Sequence, residues 1–200
     1  MHFLDRFNIY SYHRRRLKSW GGNNPKVQGW SSIESQQARF DAISHAVDFE
    51  SKRVLDLGCG LGELYDYLAQ DYSLESYLGM DQHRPFLRAA KKRVGSSEVQ
   101  FKYGDISQFN ETGIDVIVAC GSLNYQSRDP DYISKIITRM YHQANEAVVF
   151  NLLDSEFFHD KSLLKAYNRT AIFRFCKMLS NNVRLIDNYA SDDFTIVMRK

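Results

Sequence analysis

Two aspartates and three glycines in the first half of the chain have the residue types and the spacing needed to hold a nucleotide-like cofactor. The stretch KRVLDLGCGLG places Asp56 two residues before Gly58, which Gly60 and Gly62 follow at alternate positions. Asp81 comes 19 residues after Gly62. Glycines let a backbone approach a ligand without a Cβ in the way, and carboxylates accept hydrogen bonds from hydroxyl groups and attract cations.

A predicted strand, a tight loop and a helix position these residues, in that order. Val54, Leu55 and Leu57 form the apolar run of a buried strand, and a helical pattern with an acidic first turn starts at Glu63, after the glycines. The N-terminus of such a helix presents unpaired N–H groups and the positive end of a dipole. Gly-x-Gly alone also fits a plain tight turn, so the surrounding residues decide between the two interpretations.

Three features favour S-adenosylmethionine over a dinucleotide as the ligand. Asp56 can meet the cationic amine of a methionine group, whereas beside a pyrophosphate it would repel the ligand. The last glycine of the dinucleotide pattern G-x-G-x-x-G, counted from Gly58, is replaced by Glu63. Asp81 ends the apolar segment Tyr77–Met80, where an acidic side chain can accept both ribose hydroxyls. In these residues the chain resembles the class I (Rossmann-like) S-adenosylmethionine-dependent methyltransferases, of a small bacterial type.

The resemblance implies a cofactor site whose residues are spread along the chain. Asp105 would accept a hydrogen bond from the adenine amine, and Ile106 would offer its backbone N–H and an apolar face. Arg39 would pair with the cofactor carboxylate, unless it is simply an exposed arginine. The cofactor-binding residues predicted in this way are Arg39, Asp56, Gly58, Cys59, Gly60, Asp81, Gln82, Asp105, Ile106 and Cys120. The implied cofactor is S-adenosyl-L-methionine, and the implied product is S-adenosyl-L-homocysteine.

The methyl acceptor is expected beside the strand predicted over Ile114–Cys120, because parallel sheets bind ligands outside their carboxyl edge. Asn124 and Tyr125 follow this strand, and they either contact the acceptor or cap the next helix. By the resemblance, Trp30 either lines the substrate entrance or packs in the core. The Asn/Asp-Pro-Pro-aromatic motif of enzymes that methylate base amines or glutamine amides is absent here, which argues against those acceptors.

No catalytic residue can be assigned from the sequence. Methyl transfer from a sulfonium depends mainly on alignment of the acceptor, and a general base is needed only when the acceptor must lose a proton. His83, His159 and Tyr125 are the candidates for such a base, and His83 is expected to flank the adenine instead. The catalytic residues are therefore left unassigned.

The residues before the glycine loop predict a helical extension. Apolar residues at roughly helical spacing predict one helix or a pair of helices over residues 1–20, and glycine, asparagine and proline over 21–25 predict a break. Ser31 and Glu34 match a capping box, so a second helix is predicted over residues 31–47.

The residues after the loop predict alternating strands and helices, a long helical region over 156–179 and a final β-hairpin. This order predicts an α/β fold with a doubly wound, mostly parallel, seven-stranded sheet and helices on both faces. By the resemblance, the strand order is 3-2-1-4-5-7-6 with strand 7 antiparallel. We expect one methyltransferase domain over 1–200, with an N-terminal helical cap over 1–48 and a Rossmann-like core over 49–200.

Composition excludes several other classes of protein. The 200 residues are 44% apolar and 25% charged, as is ordinary for one globular domain. Cys59, Cys120 and Cys176 form no C-x-x-C pair, so no zinc or other metal site and no disulfide framework is predicted, and a cytoplasmic location fits best. No apolar run is long enough to span a membrane, and residues 1–6 lack the pattern of a signal peptide.

The predicted function is S-adenosylmethionine-dependent methyl transfer to an unidentified acceptor, with a small molecule favoured over nucleic acid. The net charge of +2 neither demands nor excludes nucleic acid. An RNA methyltransferase using the basic run Arg14–Arg16 is one alternative, although such a run is also typical of a solvated helix face. A non-catalytic binding or scaffold protein is another, and an NAD-dependent oxidoreductase is disfavoured by Asp56 and Glu63. No membrane partner is expected, and the oligomeric state does not follow from the sequence.

Overall fold

The computed structural model describes residues 1–21, 25–160 and 163–200. Within these ranges, seven strands form one sheet, and six α-helices and a short 3-10 turn pack around it. The strands are β1 (Arg53–Leu57), β2 (Ser76–Asp81), β3 (Val99–Tyr103), β4 (Ile114–Ala119), β5 (Ala144–Leu153), β6 (Asn182–Ile186) and β7 (Asp193–Arg199). The helices are α1 (Phe3–Trp20), α2 (Ile33–Ser44), α3 (Glu63–Leu68), α4 (Arg84–Arg93), α5 (Tyr132–Gln143) and α6 (Arg169–Leu179), and the 3-10 turn is Pro25–Val27.

The sheet has the predicted order and the predicted reversed strand. Its strands lie in the order β3-β2-β1-β4-β5-β7-β6, and β7 pairs antiparallel with both β5 and β6. The other neighbouring strands are parallel, so Leu57 pairs with Met80 where β1 and β2 end together. The carboxyl ends of β1, β2 and β4 therefore meet at one edge of the sheet, where the glycine loop begins.

Each face of the sheet has its own apolar core. Alternate residues of a strand point to opposite faces, so Val54 of β1 packs in one core while Leu55 and Leu57 pack in the other. The first core contains apolar residues of α2, α3 and α4, and the second contains those of α5 and α6. Helices therefore cover both faces, as the doubly wound prediction requires.

The N-cap of helix α2 lies one residue later than predicted. Ser32 is the N-cap residue, and its Oγ accepts a hydrogen bond from the backbone N–H of Ser35 at 3.1 Å. The prediction that Ser31 caps this helix was therefore wrong by one residue, because two adjacent serines offer the same capping chemistry. The helix ends at Ser44, three residues before the predicted end at Val47.

The predicted long helical region over 156–179 is helical only over α6, so the prediction was wrong for the described residues before Arg169. Lys161 and Ser162 lie outside the described residues. In the described part, backbone N–H groups of this segment donate to other elements: Lys165 donates to the Asn124 carbonyl at 2.8 Å, and Tyr167 donates to the Leu153 carbonyl at 2.8 Å. A residue whose N–H pairs with a distant strand cannot also make the i to i−4 bond of a helix.

Helix α1 is continuous from Phe3 to Trp20, and it ends at Gly21, whose φ is 71° and whose N–H donates to the Leu17 carbonyl. The predicted break after it includes residues 22–24, which lie outside the described residues. Both α1 and α2 precede the first strand, but their division from the core as a cap over 1–48 stays a prediction. None of the helices in the described ranges combines the length and apolar character needed to cross a membrane.

Candidate active site

A cavity of about 870 Å³ lies at the carboxyl ends of the parallel strands and is roofed by α1. Its wall contains every residue that the sequence predicted to bind cofactor or acceptor, although these residues are spread over the chain. They are Trp30, Arg39, Asp56, Gly58, Cys59, Gly60, Asp81, Gln82, Asp105, Ile106, Cys120, Asn124 and Tyr125. The structure therefore brings all the predicted binding residues together in one place, whatever role each of them has.

The glycine loop turns tightly between β1 and α3. The backbone N–H of Gly58 donates to the Met80 carbonyl at 2.7 Å, and that of Gly60 donates to Asp81 Oδ2 at 3.0 Å. The φ of Gly58 is +82°, and a Cβ at this position would lie 2.3 Å from the Cβ of Ser122. Only glycine fits this turn, which brings the backbone of the loop up to the cavity wall.

Asp81 is held by backbone donors on both of its oxygens. Oδ2 accepts from the Gly60 N–H, and Oδ1 accepts from the His83 N–H at 2.6 Å. Desolvation raises the pKa of Asp81 to about 6, and these backbone hydrogen bonds act in the opposite direction. The carboxylate is fixed in orientation, and each oxygen keeps a second lone pair that can accept a hydrogen bond from a ligand.

Asp56 is buried, with only 2% of its surface exposed, and one of its oxygens has no partner among the described residues. The Tyr77 hydroxyl donates to the other oxygen, Oδ2, at 2.5 Å, so the unpaired atom is Oδ1. Burial raises the pKa of Asp56 to about 7, and the hydrogen bond from Tyr77 lowers it. A buried acceptor without a partner is costly, and Asp56 lines the cavity, so a cationic group bound there would satisfy it.

Arg39 lies at the cavity wall, but its guanidinium is already paired within the protein. Nε donates to Asp193 Oδ2 at 3.0 Å, and Nη1 donates to the carbonyl and the hydroxyl of Ser35, each at 2.7 Å. Asn151 donates from Nδ2 to the same Asp193 at 3.0 Å, and its Oδ1 accepts from the Gly121 N–H at 2.7 Å. This buried network joins α2, β5, β7 and the loop after β4. Arg39 is buried, so the alternative that it is simply an exposed arginine was wrong.

Helix α1 covers the end of the cavity predicted for adenine. Arg6 Nε donates to Gln82 Oε1 at 3.1 Å, and Arg6 Nη1 lies 3.7 Å from Asp105 Oδ2. The amino group of Met1 donates to the same Asp105 oxygen at 3.2 Å. Gln82 and Asp105 are therefore held by the N-terminal residue and the first turn of α1, while Ile106 lines the cavity beside them.

Asn124 and Tyr125 were each left with two possible roles, and neither caps α5. Asn124 Oδ1 accepts from the Leu153 N–H at 2.9 Å. The hydroxyl of Tyr125 lies 2.7 Å from His13 Nε2, and His13 Nδ1 lies 3.2 Å from the Val27 carbonyl. A carbonyl can only accept, so Nδ1 carries the proton and Nε2 accepts from Tyr125. Burial lowers the pKa of His13 to about 4, which keeps this imidazole neutral.

The other two histidine candidates occupy different environments. His83 is 1% exposed, lines the cavity and packs against Phe86, with 4.2 Å between ring centroids and the two rings tilted by 56°. Neither of its ring nitrogens has a hydrogen-bond partner among the described residues, and burial lowers its pKa to about 4. His159 is exposed and does not line the cavity.

Gln28, Gln36 and Glu63 form a polar cluster at the cavity that was not predicted as part of the site. Gln28 Oε1 accepts from the Leu61 N–H at 3.0 Å, and its Nε2 donates to Glu63. Gln36 Nε2 donates to the same Glu63 carboxylate at 2.6 Å. The sequence held one signal for this cluster, which is Glu63 at the position of the last glycine in the dinucleotide pattern. A carboxylate at that position needs hydrogen-bond donors. The donors come from residues 35 and 27 positions earlier, which no local pattern identifies.

Comparison with known proteins identifies the fold and matches part of the chain to a family model. A family model described as a methyltransferase domain matches residues 54–145, which include the glycine loop, Asp81 and Asp105. Magnesium protoporphyrin IX methyltransferase from Synechocystis PCC 6803, solved with bound S-adenosylhomocysteine, has the same fold with a TM-score of 0.73 and 14% identity over 98% of each chain. Residues 54–145 therefore match a methyltransferase domain, and the chain as a whole has the class I methyltransferase fold. The predicted family and fold are confirmed, and this solved relative holds the product form of the predicted cofactor.

Sequence relatives of this chain are named for different kinds of methyl acceptor. An rRNA N(6)-adenosine-methyltransferase of Caenorhabditis elegans is 32% identical over 40% of this chain, and fatty-acid O-methyltransferase of Mycolicibacterium smegmatis is 24% identical over 64% of it. The chain spans only 39% and 52% of the lengths of these two proteins. A protein of Mycobacterium tuberculosis described as a putative methyltransferase is 29% identical over 72% of this chain and 91% of its own length. The comparisons therefore point to methyltransferases but leave the acceptor open.

Proposed function

We propose that this methyltransferase binds S-adenosylmethionine in the cavity and transfers its methyl group to a small molecule bound beside it. The observation that carries the proposal is the buried Asp56 Oδ1, which has no partner among the described residues and lies in the same cavity wall as Asp81. A ligand that is cationic at one end and carries a diol at the other satisfies both carboxylates. S-adenosylmethionine is such a ligand, whereas the pyrophosphate of a dinucleotide would be repelled by both.

The residues at the cavity fit this cofactor group by group. Asp56 would hold the amine, Asp81 the ribose hydroxyls, and Asp105 and Ile106 the adenine. Asp105 would then exchange the Met1 amine for the adenine amine as a donor. The remaining predicted residues would contact the ribose or the methionine part of the cofactor through their backbone or side chains. They are Gly58, Cys59, Gly60, Gln82 and Cys120. We assign Arg39 to the wall near the cofactor carboxylate, with Asp193 holding its orientation.

When bound, the cofactor supplies a methyl group on a positively charged sulfur. The contribution of the protein is then to exclude water and to hold an acceptor in line, which can account for much of the rate. Helix α1 roofs the cavity and restricts the access of water to it. For an acceptor that must lose a proton, the Tyr125 oxygen would accept that proton while its own proton passes along the hydrogen bond to Nε2 of neutral His13.

The acceptor half of the cavity favours a small molecule with apolar surface. The total volume of about 870 Å³ lies in the usual range for small-molecule sites, and the residues that line this half are Trp30, Tyr125, Phe158, Leu163 and Leu164. Fatty-acid O-methyltransferase is among the sequence relatives, as is trans-aconitate 2-methyltransferase of Delftia acidovorans at 27% identity over 46% of this chain. RNA is the second candidate acceptor, and the 32% identity to an rRNA methyltransferase supports it.

We assign the protein to a reducing compartment such as the cytoplasm. All three cysteines are buried and none forms a disulfide, which supports this assignment.

Two measurements test this proposal. Calorimetric titration with S-adenosylhomocysteine should show one site per chain, and titration with NADH should give no heat of binding. Binding of NADH without binding of S-adenosylhomocysteine would favour an NAD-dependent oxidoreductase. Purified protein is then incubated with methyl-labelled S-adenosylmethionine and either a metabolite extract or total RNA. Label in the small-molecule fraction supports the proposal, and label in RNA alone overturns the choice of acceptor. Binding without transfer to either fraction would point to a non-catalytic protein.

A further inference from the structure

Helix α1 carries an unusual share of the apolar side chains exposed to solvent. Eight large apolar side chains are exposed among the described residues, and four of them, Phe3, Leu4, Phe7 and Trp20, lie on this one helix. Phe3 is 72% exposed and Phe7 is 57% exposed. Trp20 lies alone at the far end of the helix, whereas Phe3, Leu4 and Phe7 are neighbours within its first two turns. Single exposed apolar residues are normal on a protein surface, but a group of neighbours on one helix indicates an interaction site.

Three cations continue the same face of α1 toward its C-terminal end. Arg14, Arg15 and Lys18 are exposed, and at 3.6 residues per turn they lie on the face that also carries Phe3, Leu4 and Phe7. No carboxylate among the described residues forms an ion pair with any of the three cations. We call these six residues the α1 stripe: Phe3, Leu4, Phe7, Arg14, Arg15 and Lys18.

The opposite face of α1 is fixed to the protein, so the stripe cannot turn inward. Asp5, the only acidic residue of the helix, is buried and pairs with Arg128. His13, about two turns further along the same buried face, bonds to Tyr125 at 2.7 Å. The stripe also borders the cavity, because Phe7 and Arg15 line its mouth.

We propose that the α1 stripe docks on an anionic lipid surface, with the mouth of the cavity facing that surface. Two attractions hold a helix in the plane of a membrane with anionic headgroups: burial of apolar side chains and the attraction of cations to the headgroups. The stripe has apolar side chains at one end and unpaired cations along the rest. The stripe would bind the headgroup layer without spanning it. This inference does not depend on methyl transfer.

Two other occupants fit the stripe less well. Binding of single-stranded RNA uses aromatic side chains interleaved with cations along a groove, whereas here the apolar residues and the cations occupy opposite ends of a convex helix, and Leu4 cannot stack on a base. A second copy of the chain would bring the cations of the two stripes near each other with no exposed carboxylate on α1 to offset them. Anionic lipid matches both ends of the stripe.

The test is co-sedimentation of the full chain with vesicles of phosphatidylcholine alone or of phosphatidylcholine and phosphatidylglycerol in equal parts. We expect binding only to the anionic vesicles, and weaker binding as salt is added. The triple variant Arg14→Gln/Arg15→Gln/Lys18→Gln should bind on the order of a hundredfold more weakly, at about fivefold per cation. The double variant Phe3→Ser/Phe7→Ser should bind more weakly than the wild type by at least about tenfold.

Matched controls on α6 separate the stripe from general surface effects. Met178 is 76% exposed and Arg174 is exposed, so Met178→Ser and Arg174→Gln remove an apolar group and a cation from another helix. Both controls should bind vesicles like the wild type, and all variants should unfold at the wild-type temperature. The proposal is overturned if the protein does not bind anionic vesicles, or if the controls weaken binding as much as the stripe variants. It is also overturned if the stripe variants instead lose RNA binding in a filter assay or dimerisation in light scattering. Because this assay contains no cofactor, failure here leaves the proposed methyl transfer untouched.

Discussion

The hydroxyl of Tyr125 lies 2.7 Å from Nε2 of His13, and this contact joins the first helix of the chain to the loop that follows β4. Both residues line the cavity, and the Nδ1 side of the imidazole is held by the Val27 carbonyl. The pair therefore couples the position of α1 to the wall at which the acceptor is proposed to bind.

Replacing Tyr125 by Phe should destabilise the fold. The change leaves His13 Nε2 buried without a partner, which costs about 1–3 kcal/mol. Urea denaturation measures the loss. Tyr103→Phe is the matched control, because Tyr103 is 44% exposed and its loss of a hydroxyl should change stability by less than about 0.5 kcal/mol. Equal stability of the two variants would show that the contact with His13 contributes nothing.

Replacing Arg39 by Met should be far more damaging than removing a surface cation. Asp193 would keep a buried charge without its main counter-ion, at a cost of about 3–5 kcal/mol. Lys135→Met is the control, since Lys135 is 61% exposed in its pair with Asp129 and such pairs contribute about 1 kcal/mol or less. Thermal and urea unfolding of both variants compare them directly.

The defect of the Arg39 variant should also depend on pH. Burial already raises the pKa of Asp193, and without Arg39 it would rise further, so the folded state would hold a proton that the unfolded state has lost. Stability of the variant should then fall as pH rises from about 4, relative to the wild type. A defect that is constant with pH would contradict the assignment of Arg39 as the counter-ion.

Gly60→Ala should weaken cofactor binding and lower stability together. The φ of Gly60 is +55°, and an added Cβ would lie 1.9 Å from Gln28 Oε1, which accepts from the Leu61 N–H. The backbone conformation alone costs about 1–2 kcal/mol. Gly95→Ala is the control, because a Cβ at Gly95 would meet nothing within 4 Å. Melting temperature and affinity for S-adenosylhomocysteine should change only in the first variant.

Affinity for S-adenosylmethionine should peak between about pH 7 and 8. Burial raises the pKa of Asp56 to about 7, so at lower pH the carboxyl takes a proton and loses its attraction for the cofactor amine. At higher pH an α-amino group, with a pKa of about 7.7–8.0, loses its charge. Calorimetric titrations on both sides of pH 7 should give a bell-shaped curve.

Asp56→Asn provides the control for this pH dependence. The variant should bind the cofactor more weakly, and the acidic limb of its curve should move from about pH 7 to about pH 6, where Asp81 titrates. Stability of the free wild-type protein should fall as pH rises from about 3.9 to about 7, because its folded state holds a proton at Asp56 that the unfolded state has lost. The variant has no carboxyl to titrate at this position, so urea denaturation should show a smaller fall over the same range. An acidic limb that stays at about pH 7 in the variant would assign the titration to another group.

Much of the fold followed from short-range patterns. The strand before the glycine loop, the loop itself and the positions of Asp56 and Asp81 are all set by neighbouring residues, and parallel pairing then brings the strand ends together. The same local reasoning failed at residues 156–160 and 163–168. Apolar residues there suggested a helix, but their backbone pairs with β5 and with the loop after β4, which no local pattern reveals.

The parts of the site that were not predicted depend on long-range contacts. Asp193 lies 154 positions after Arg39, and Asn151 reaches both Asp193 and the Gly121 backbone. A buried arginine can be guessed from sequence, but its counter-ion cannot, because several aspartates would serve equally well. The contacts that α1 makes with Gln82 and Tyr125 were missed for the same reason.

Binding of S-adenosylhomocysteine to the Asp81→Asn variant is the measurement that tests the central claim most directly. The ribose hydroxyls would lose hydrogen bonds to a charged group, each of which contributes about 1.5–3 kcal/mol, so calorimetry should show affinity lower by at least about tenfold. Asp71→Asn, at an exposed position, should bind like the wild type, and both variants should remain folded. If the Asp81 variant binds with undiminished affinity, the cofactor does not lie where this account places it.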